Sequence, residues 1–353
     1  MSSTPLINKI LGRLGLAALA APLAACNTVV MNPSGDIAAQ QAQLIVTSTL
    51  LMLIIIVPVI ALTILFAYRY RQSNTQASYS PDWDHSTRLE LVIWGAPLLI
   101  IIALGAITWI STHKLDPYRP LDRIDANRPV PADVSPLVVE VVALDWKWLF
   151  LYPEQGIATV NELAAPVDRP IQFKLTSSTV MNAFYVPALA GMIYTMPGME
   201  TQLHGVINKA GVYDGFSSNF SGDGFSHMRF KFHGLSNVDF DTWVARNKAE
   251  GSTLSRDAYL SLEKPSEKEA VRRYASVAKG LYDAILNRCV DGSKMCMAQM
   301  MAIDARGGGG KGGIDGLASR PWREDQTRSY VAALCTPENA DQYATQLASA
   351  RQP

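Results

Sequence analysis

Net charge, histidine and cysteine are all in short supply, and each shortage narrows what the chain can do. In 353 residues, 31 Lys plus Arg stand against 31 Asp plus Glu. Composition therefore makes no case for nucleic acid or for a polybasic membrane patch. Five histidines are present and none follows His233, which weakens any metal site in the C-terminal third. The stretch Gly307–Gly310, Lys311, Gly312, Gly313 lacks the Gly-Lys-Ser/Thr ending of a phosphate loop and follows no strand, so it reads as a flexible linker. One further absence is local. The segment GFSSNFSGDGFSHM, residues 215–228, has the glycines and small residues of a tight metal-binding loop but no cysteine, and a phenylalanine where a ligand would fit.

What is abundant is apolar sequence, concentrated in the first 110 residues. Lys9 and Arg13 precede a short run of Leu, Ala and Gly, as in an export signal. Leu23-Ala24-Ala25-Cys26 resembles the bacterial lipoprotein box, whose cysteine becomes the lipidated first residue. The competing reading is an ordinary buried cysteine after an export signal. Residues 44–68 carry no charge, and a helix of that length exceeds the ~30 Å hydrocarbon layer. Pro58 is expected to kink this span without ending it. A second span covers 89–111, and Tyr68, Tyr70, Trp94 and Trp109 sit toward the ends, where interfacial aromatics belong. Arg69, Arg71 and Arg88 crowd the loop 69–88, whereas 27–43 holds no Lys or Arg. Positive-inside then puts the loop in the cytoplasm and everything after residue 112 in the periplasm.

Residues 112–135 read as a Pro- and Asp-rich linker. Short β-type runs at 137–142, 171–176 and 228–232, separated by turn clusters, predict an antiparallel sandwich or barrel of about 100 residues. Beyond Asp239 the pattern becomes helical, with Asp239 read as a cap and Ser266 with Glu269 as a capping box. Cys289, Cys296 and Cys335 share an exported tail, so one disulfide among the three is expected, pairing open.

Two spans followed by a periplasmic β-sandwich resemble subunit II of the haem–copper respiratory oxidases, over about residues 26–290. In copper-bearing members a cupredoxin domain holds its metals with one early His and a loop of the form Cys-x-Glu-x-Cys-x-x-x-His-x-x-Met. Laid on this chain, those positions are Asn182, Ser217, Asn219, Ser221, Phe225 and Met228. Copper there needs thiolates and imidazole, and of the six only Met228 keeps a donor. The stretch 143–166, ALDWKWLFLYPEQGIATVNELAAP, is very similar to the bo-type ubiquinol oxidases.

The resemblance implies a two-helix transmembrane hairpin, an all-β cupredoxin-like periplasmic sandwich and a short α-helical C-terminal tail. Its divisions are a lipoprotein signal peptide at 1–25, a periplasmic N-terminus at 26–43, the spans and their loop as above, a cupredoxin-like domain lacking copper ligands at 136–238, a helical region at 239–290 and a Gly-rich tail at 291–353. It implies a non-redox subunit of a proton-pumping complex in the bacterial inner membrane, lipid-anchored at Cys26. Partners would be subunit I, smaller membrane subunits, membrane lipid, and ubiquinol through the complex. The haems and one copper would belong to subunit I, with no cofactor or metal in this chain. Glu90, at the cytoplasmic end of the second span, matches a residue at the mouth of a proton-uptake channel; the plainer reading is a solvated carboxylate. Trp146 and Trp148 are read as filling the sandwich or covering its flank, and His204 as a structural histidine. His227 and His233, if they share a strand, stand ~20 Å apart and cannot chelate one ion. Two alternatives stay open: a copper-containing cytochrome c oxidase subunit, or a membrane-anchored cupredoxin-like binding or assembly lipoprotein.

Overall fold

A computed structural model describes residues 28–78, 80 and 82–304. The predicted signal, Cys26 and Cys335 lie outside that range. After a short 3-10 turn at Val29–Met31, helix α1 runs Asp36–Arg69 and helix α2 runs Thr87–Lys114. Both are long and apolar enough to cross a membrane, and neither buries any of its most apolar stretch within the chain. Pro58 and Pro97 sit inside these helices without ending them.

The helices outrun the spans read from apolar content. α1 begins at Asp36, so much of the expected N-terminal extension 26–43 is already helical. Asp36 stands in the first turn, where a carboxylate favours the helix dipole, and it is held there both by Gln40 Nε2 at 2.8 Å and by the distant Arg123. The expected linker also carries structure, a hairpin of β1 (Arg123–Asp125) and β2 (Arg128–Pro129).

Next come β3 (Leu137–Leu144), β4 (Lys147–Tyr152), β5 (Ile157–Val160), β6 (Glu162–Pro166), β7 (Ile171–Ser177), β8 (Asn182–Tyr185), β9 (Ile193–Thr195), β10 (Thr201–Gly205) and β11 (Gly211–Ser217). A 3-10 helix at Asp223–His227 leads into β12 (Arg229–Leu235), followed by α3 (Asn237–Glu250), β13 (Ser252–Leu254), α4 (Arg256–Glu263), β14 (Arg272–Val277), α5 (Leu281–Leu286) and α6 (Met297–Asp304). One sheet has the order β10-β7-β3-β4-β5-β14-β13, the other β6-β12-β11-β8-β9.

The sandwich is mixed, not purely antiparallel as expected: β3 runs parallel to β7, β12 to β6, and β13 to β14. The region 239–290, expected to be helical, adds β13 and β14 to the larger sheet, with Tyr274 opposite Ala158 of β5. This explains the burial of β4, whose six residues KWLFLY are all buried. Trp148, Phe150 and Tyr152 face the inter-sheet core, while Leu149 and Leu151 face a second core under α4 and α5. Trp148 fills the sandwich as expected, edge-on to Phe184 at 5.5 Å.

The caps differ from the sequence reading. Ser236, not Asp239, caps α3: its Oγ accepts from Asp239 N at 3.1 Å and donates to Asp239 Oδ2 at 2.7 Å. Ser266 donates to Glu269 at 2.7 Å, but no helix starts there; Ser266 Oγ instead receives the buried Lys147 Nζ at 2.8 Å. Of the three possible disulfides, the structure holds Cys289–Cys296.

Candidate functional site

The residues at the predicted ligand positions lie where β8, the end of β11 and the 3-10 helix meet. Asn182 is 1% exposed and Ser217 3%. Ser217 Oγ has Asn182 Oδ1 and Asn219 O within reach of its single proton, both at 3.2 Å, and accepts from Ala183 N at 3.4 Å. Asn182 Nδ2 donates to Val180 O, and Asn219 Nδ2 to Met181 O, each at 3.2 Å. Three of the six positions therefore form one hydrogen-bonded group. Met228 joins through its carbonyl, which accepts from Ser217 N at 3.2 Å, while its side chain belongs to the core. Ser221 and Phe225 stand apart from that group. Phe225 packs edge-on against the exposed Phe220 at 5.6 Å, and Ser221 Oγ is buried with no partner among the described residues.

These residues do not fit a copper centre. The amides and hydroxyl at the base of the loop already satisfy one another, and the orphaned Ser221 hydroxyl does not ionise near neutral pH. Among the described residues, no three His, Cys, Asp or Glu are grouped closely enough to hold a metal ion. His227 and His233 do not share a strand, because His227 ends the 3-10 helix and His233 lies on β12.

Trp146 holds the loop, a role that a core-filling or flank-covering reading misses. Its backbone adopts φ 62°, and its Nε1 donates to Ser221 O at 3.0 Å. A Cβ on Gly224 would stand 2.5 Å from the indole, so that glycine lets the loop close over the ring. The available signal was the paired Gly222 and Gly224 within a loop that had no metal to close on.

At the other end of the molecule Glu90 sits in the first turn of α2, with an oxygen 2.8 Å from His85 Nδ1. Their side chains are 51% and 61% exposed, so the pair adds little stability. His85 was not singled out in the sequence, although it lies only five residues before the carboxylate.

Between these ends, the hairpin is pinned to the sandwich. Arg123 donates to both oxygens of Asp36 at 2.9 and 3.1 Å, with Asp36 6% exposed. Gly35 N donates to Ala188 O at 2.9 Å, and a Cβ on Gly35 would fall 2.5 Å from Val206 O. His204 lies on β10 and reaches the segment after α2, its Nδ1 3.1 Å from Pro117 O.

Comparison with known proteins agrees with this architecture. Residues 154–234 match the family model of the cytochrome c oxidase subunit II periplasmic domain, and residues 248–293 match the COX aromatic rich motif. The chain is 51% identical over 266 residues to cytochrome bo(3) ubiquinol oxidase subunit 2 of Pseudomonas aeruginosa, covering 75% of this chain and 78% of that one. It is 47% identical over 291 residues to ubiquinol oxidase subunit 2 of Acetobacter aceti, covering 82% and 92%. It is 40% identical over 240 residues to quinol oxidase subunit 2 of Bacillus cereus, covering 67% and 78%.

The membrane hairpin, the sandwich and the C-terminal strands that complete it define subunit II of a haem–copper oxidase. Within that class, the chain belongs to the ubiquinol oxidase subunit 2 family. The two alternatives left open by the sequence, a copper-bearing subunit and a free-standing lipoprotein, give way to it.

Proposed function

We propose that this chain is the non-redox subunit II of a proton-pumping ubiquinol oxidase in the bacterial inner membrane. In the complex, two quinols supply the four electrons that reduce one O2 to water, and protons move outward. The haems, the one copper and the quinol site belong to subunit I, and smaller membrane subunits complete the assembly. This chain braces subunit I with its two helices and covers the periplasmic face with the sandwich. Glu90 shapes the mouth of one proton path. Removal of residues 1–25 leaves Cys26 as a lipidated N-terminus outside the membrane.

The observation that carries this reading is the hydrogen-bonded group of Asn182, Ser217 and Asn219 where thiolate and imidazole donors would stand. With no soft anion in the loop, an electron has no relay on the periplasmic side, so reducing equivalents arrive through the lipid.

Purification in mild detergent tests it. The expected preparation contains a haem-bearing partner, oxidises ubiquinol with consumption of O2, and holds one copper per complex. A dinuclear purple copper chromophore on this chain would overturn the reading. Radiolabelled palmitate should enter the intact chain and be lost in Cys26→Ser.

A further inference from the structure

Between the periplasmic ends of the two helices and the sandwich lies a cavity of about 230 Å3, far more than a single water needs. Its walls come from the first turns of α1, the segment from Lys114 to Arg123, and β10. Its height relative to the bilayer follows from the chain. The apolar run of α1 starts at Leu44 and that of α2 stops at Ser111. The cavity is built from residues just beyond both limits, at the level of lipid headgroups.

The charges in the walls largely cancel in pairs. Asp36 is taken by Arg123 at 2.9 Å, and Asp122 by Arg119 at 2.7 Å. Lys114 and Asp116 line the cavity with no ion-pair partner among the described residues. One unmatched charge of each sign remains.

His204 adds a third group. It is 7% exposed, and because a carbonyl can only accept, Nδ1 must donate to Pro117 O. The opposite nitrogen, Nε2, has no hydrogen-bond partner among the described residues. In the neutral ring it is a pure acceptor. Although the residue as a whole is buried, Nε2 itself is not sealed off, so it is open to the cavity and a ligand N–H can reach it.

We propose that this cavity binds the headgroup of a zwitterionic phospholipid that carries N–H donors, namely a phosphatidylethanolamine. Lys114 holds the phosphate. Asp116 and His204 Nε2 receive the ammonium hydrogens. The acyl chains lie along the apolar flanks of α1 and α2, which this chain leaves uncovered. A quaternary ammonium headgroup has no hydrogen to give His204, and a purely anionic headgroup leaves Asp116 opposed by like charge. The inference rests on the two-span topology.

Native mass spectrometry of the whole purified complex tests it. The unsubstituted complex should retain phosphatidylethanolamine. After stripping with excess detergent, added phosphatidylethanolamine should refill the site, whereas phosphatidylcholine and inorganic phosphate should not. Lys114→Glu and His204→Phe should each lower occupancy at least tenfold with haem content unchanged. Equal retention in the Lys114→Glu complex, or equal refilling by phosphatidylcholine or phosphate, overturns the proposal. Lys114 is exposed, so its variant carries the test should His204→Phe fail to assemble. Ubiquinol oxidase activity, assayed on the same preparation, judges the proposed function separately. Lipid retained by an inactive complex would sink that function and leave this site standing.

Discussion

Glu140 on β3 and Glu162 on β6, one in each sheet, show how one side chain type meets opposite fates. Burial alone would raise the Glu162 carboxyl, but hydrogen bonds with His233 and Arg273, plus the Arg273 charge, overcome that and hold it at about 2 against an ordinary 4.5. Its contribution to stability is complete above pH 4.5 and disappears as pH falls toward 2. A shift of that size corresponds to about 3 kcal/mol. Glu162→Gln should therefore lower the thermal midpoint at pH 7 and converge with the parent near pH 2. Glu140 behaves in reverse. Burial pushes it to about 7, Lys174 opposes, and Asp283 and Glu200 add to the rise. The folded chain then favours the protonated form, so a penalty grows as pH climbs from 4.5 to 7. Glu140→Gln should raise the midpoint by a few degrees at pH 8 and leave it unchanged at pH 4. Thermal scans of both variants across pH check the pair, and parallel curves for parent and variant would refute either assignment.

At the scale of elements, legibility followed the distance between interacting partners. The spans could be read because an uncharged run of that length has few alternatives. Their true ends could not, because Asp36 starts α1 by pairing with Arg123, 87 positions away. The two-residue strand β2 is too short for alternation to register. Strand β14, RRYASV, carries only Tyr274 as a large buried residue and pairs with β5 more than a hundred positions earlier, so the helical texture around it dominated the reading. The emptied loop could be read from its own glycines and missing ligands, but its partner Asn182, 35 positions before Ser217, was legible only through family resemblance. The opposite case is Trp146, whose positive φ and grip on Ser221 leave no trace in its local pattern. Disulfide choice was open for the same reason: three cysteines define no geometry until α5 and α6 are placed. Closing the short Cys289–Cys296 loop should contribute about 2–3 kcal/mol. Replacing both cysteines by serine should lower the unfolding midpoint, and dithiothreitol should do the same to the parent but not to the variant. A parent insensitive to reductant would show that this bridge does not limit stability.

At the scale of the molecule, the chain exposes what a partner must cover. Neither long helix buries its apolar stretch, and Leu91, Trp94 and Leu99 of α2 are 68–76% exposed or close to it, with Leu91 at 70%, Trp94 at 76% and Leu99 at 68%. Lipid can cover such faces, but it cannot give the Glu90–His85 pair at the cytoplasmic end a reason to be there. An exposed contact of this kind adds little to folding, so a structural role predicts that Glu90→Gln changes neither assembly nor turnover. A role in proton uptake predicts a split: haem content and subunit stoichiometry stay at parent levels, while ubiquinol oxidation slows at least tenfold. Glu90→Asp, which retains the carboxylate, should recover part of the rate. His85→Gln should slow turnover less than Glu90→Gln, because His85 acts only through the carboxylate it holds. Steady-state oxygen consumption by the assembled complex, measured at several pH values, separates the two roles. Unchanged turnover in Glu90→Gln across that range would remove the pair from the proton path and leave it a solvated helix terminus.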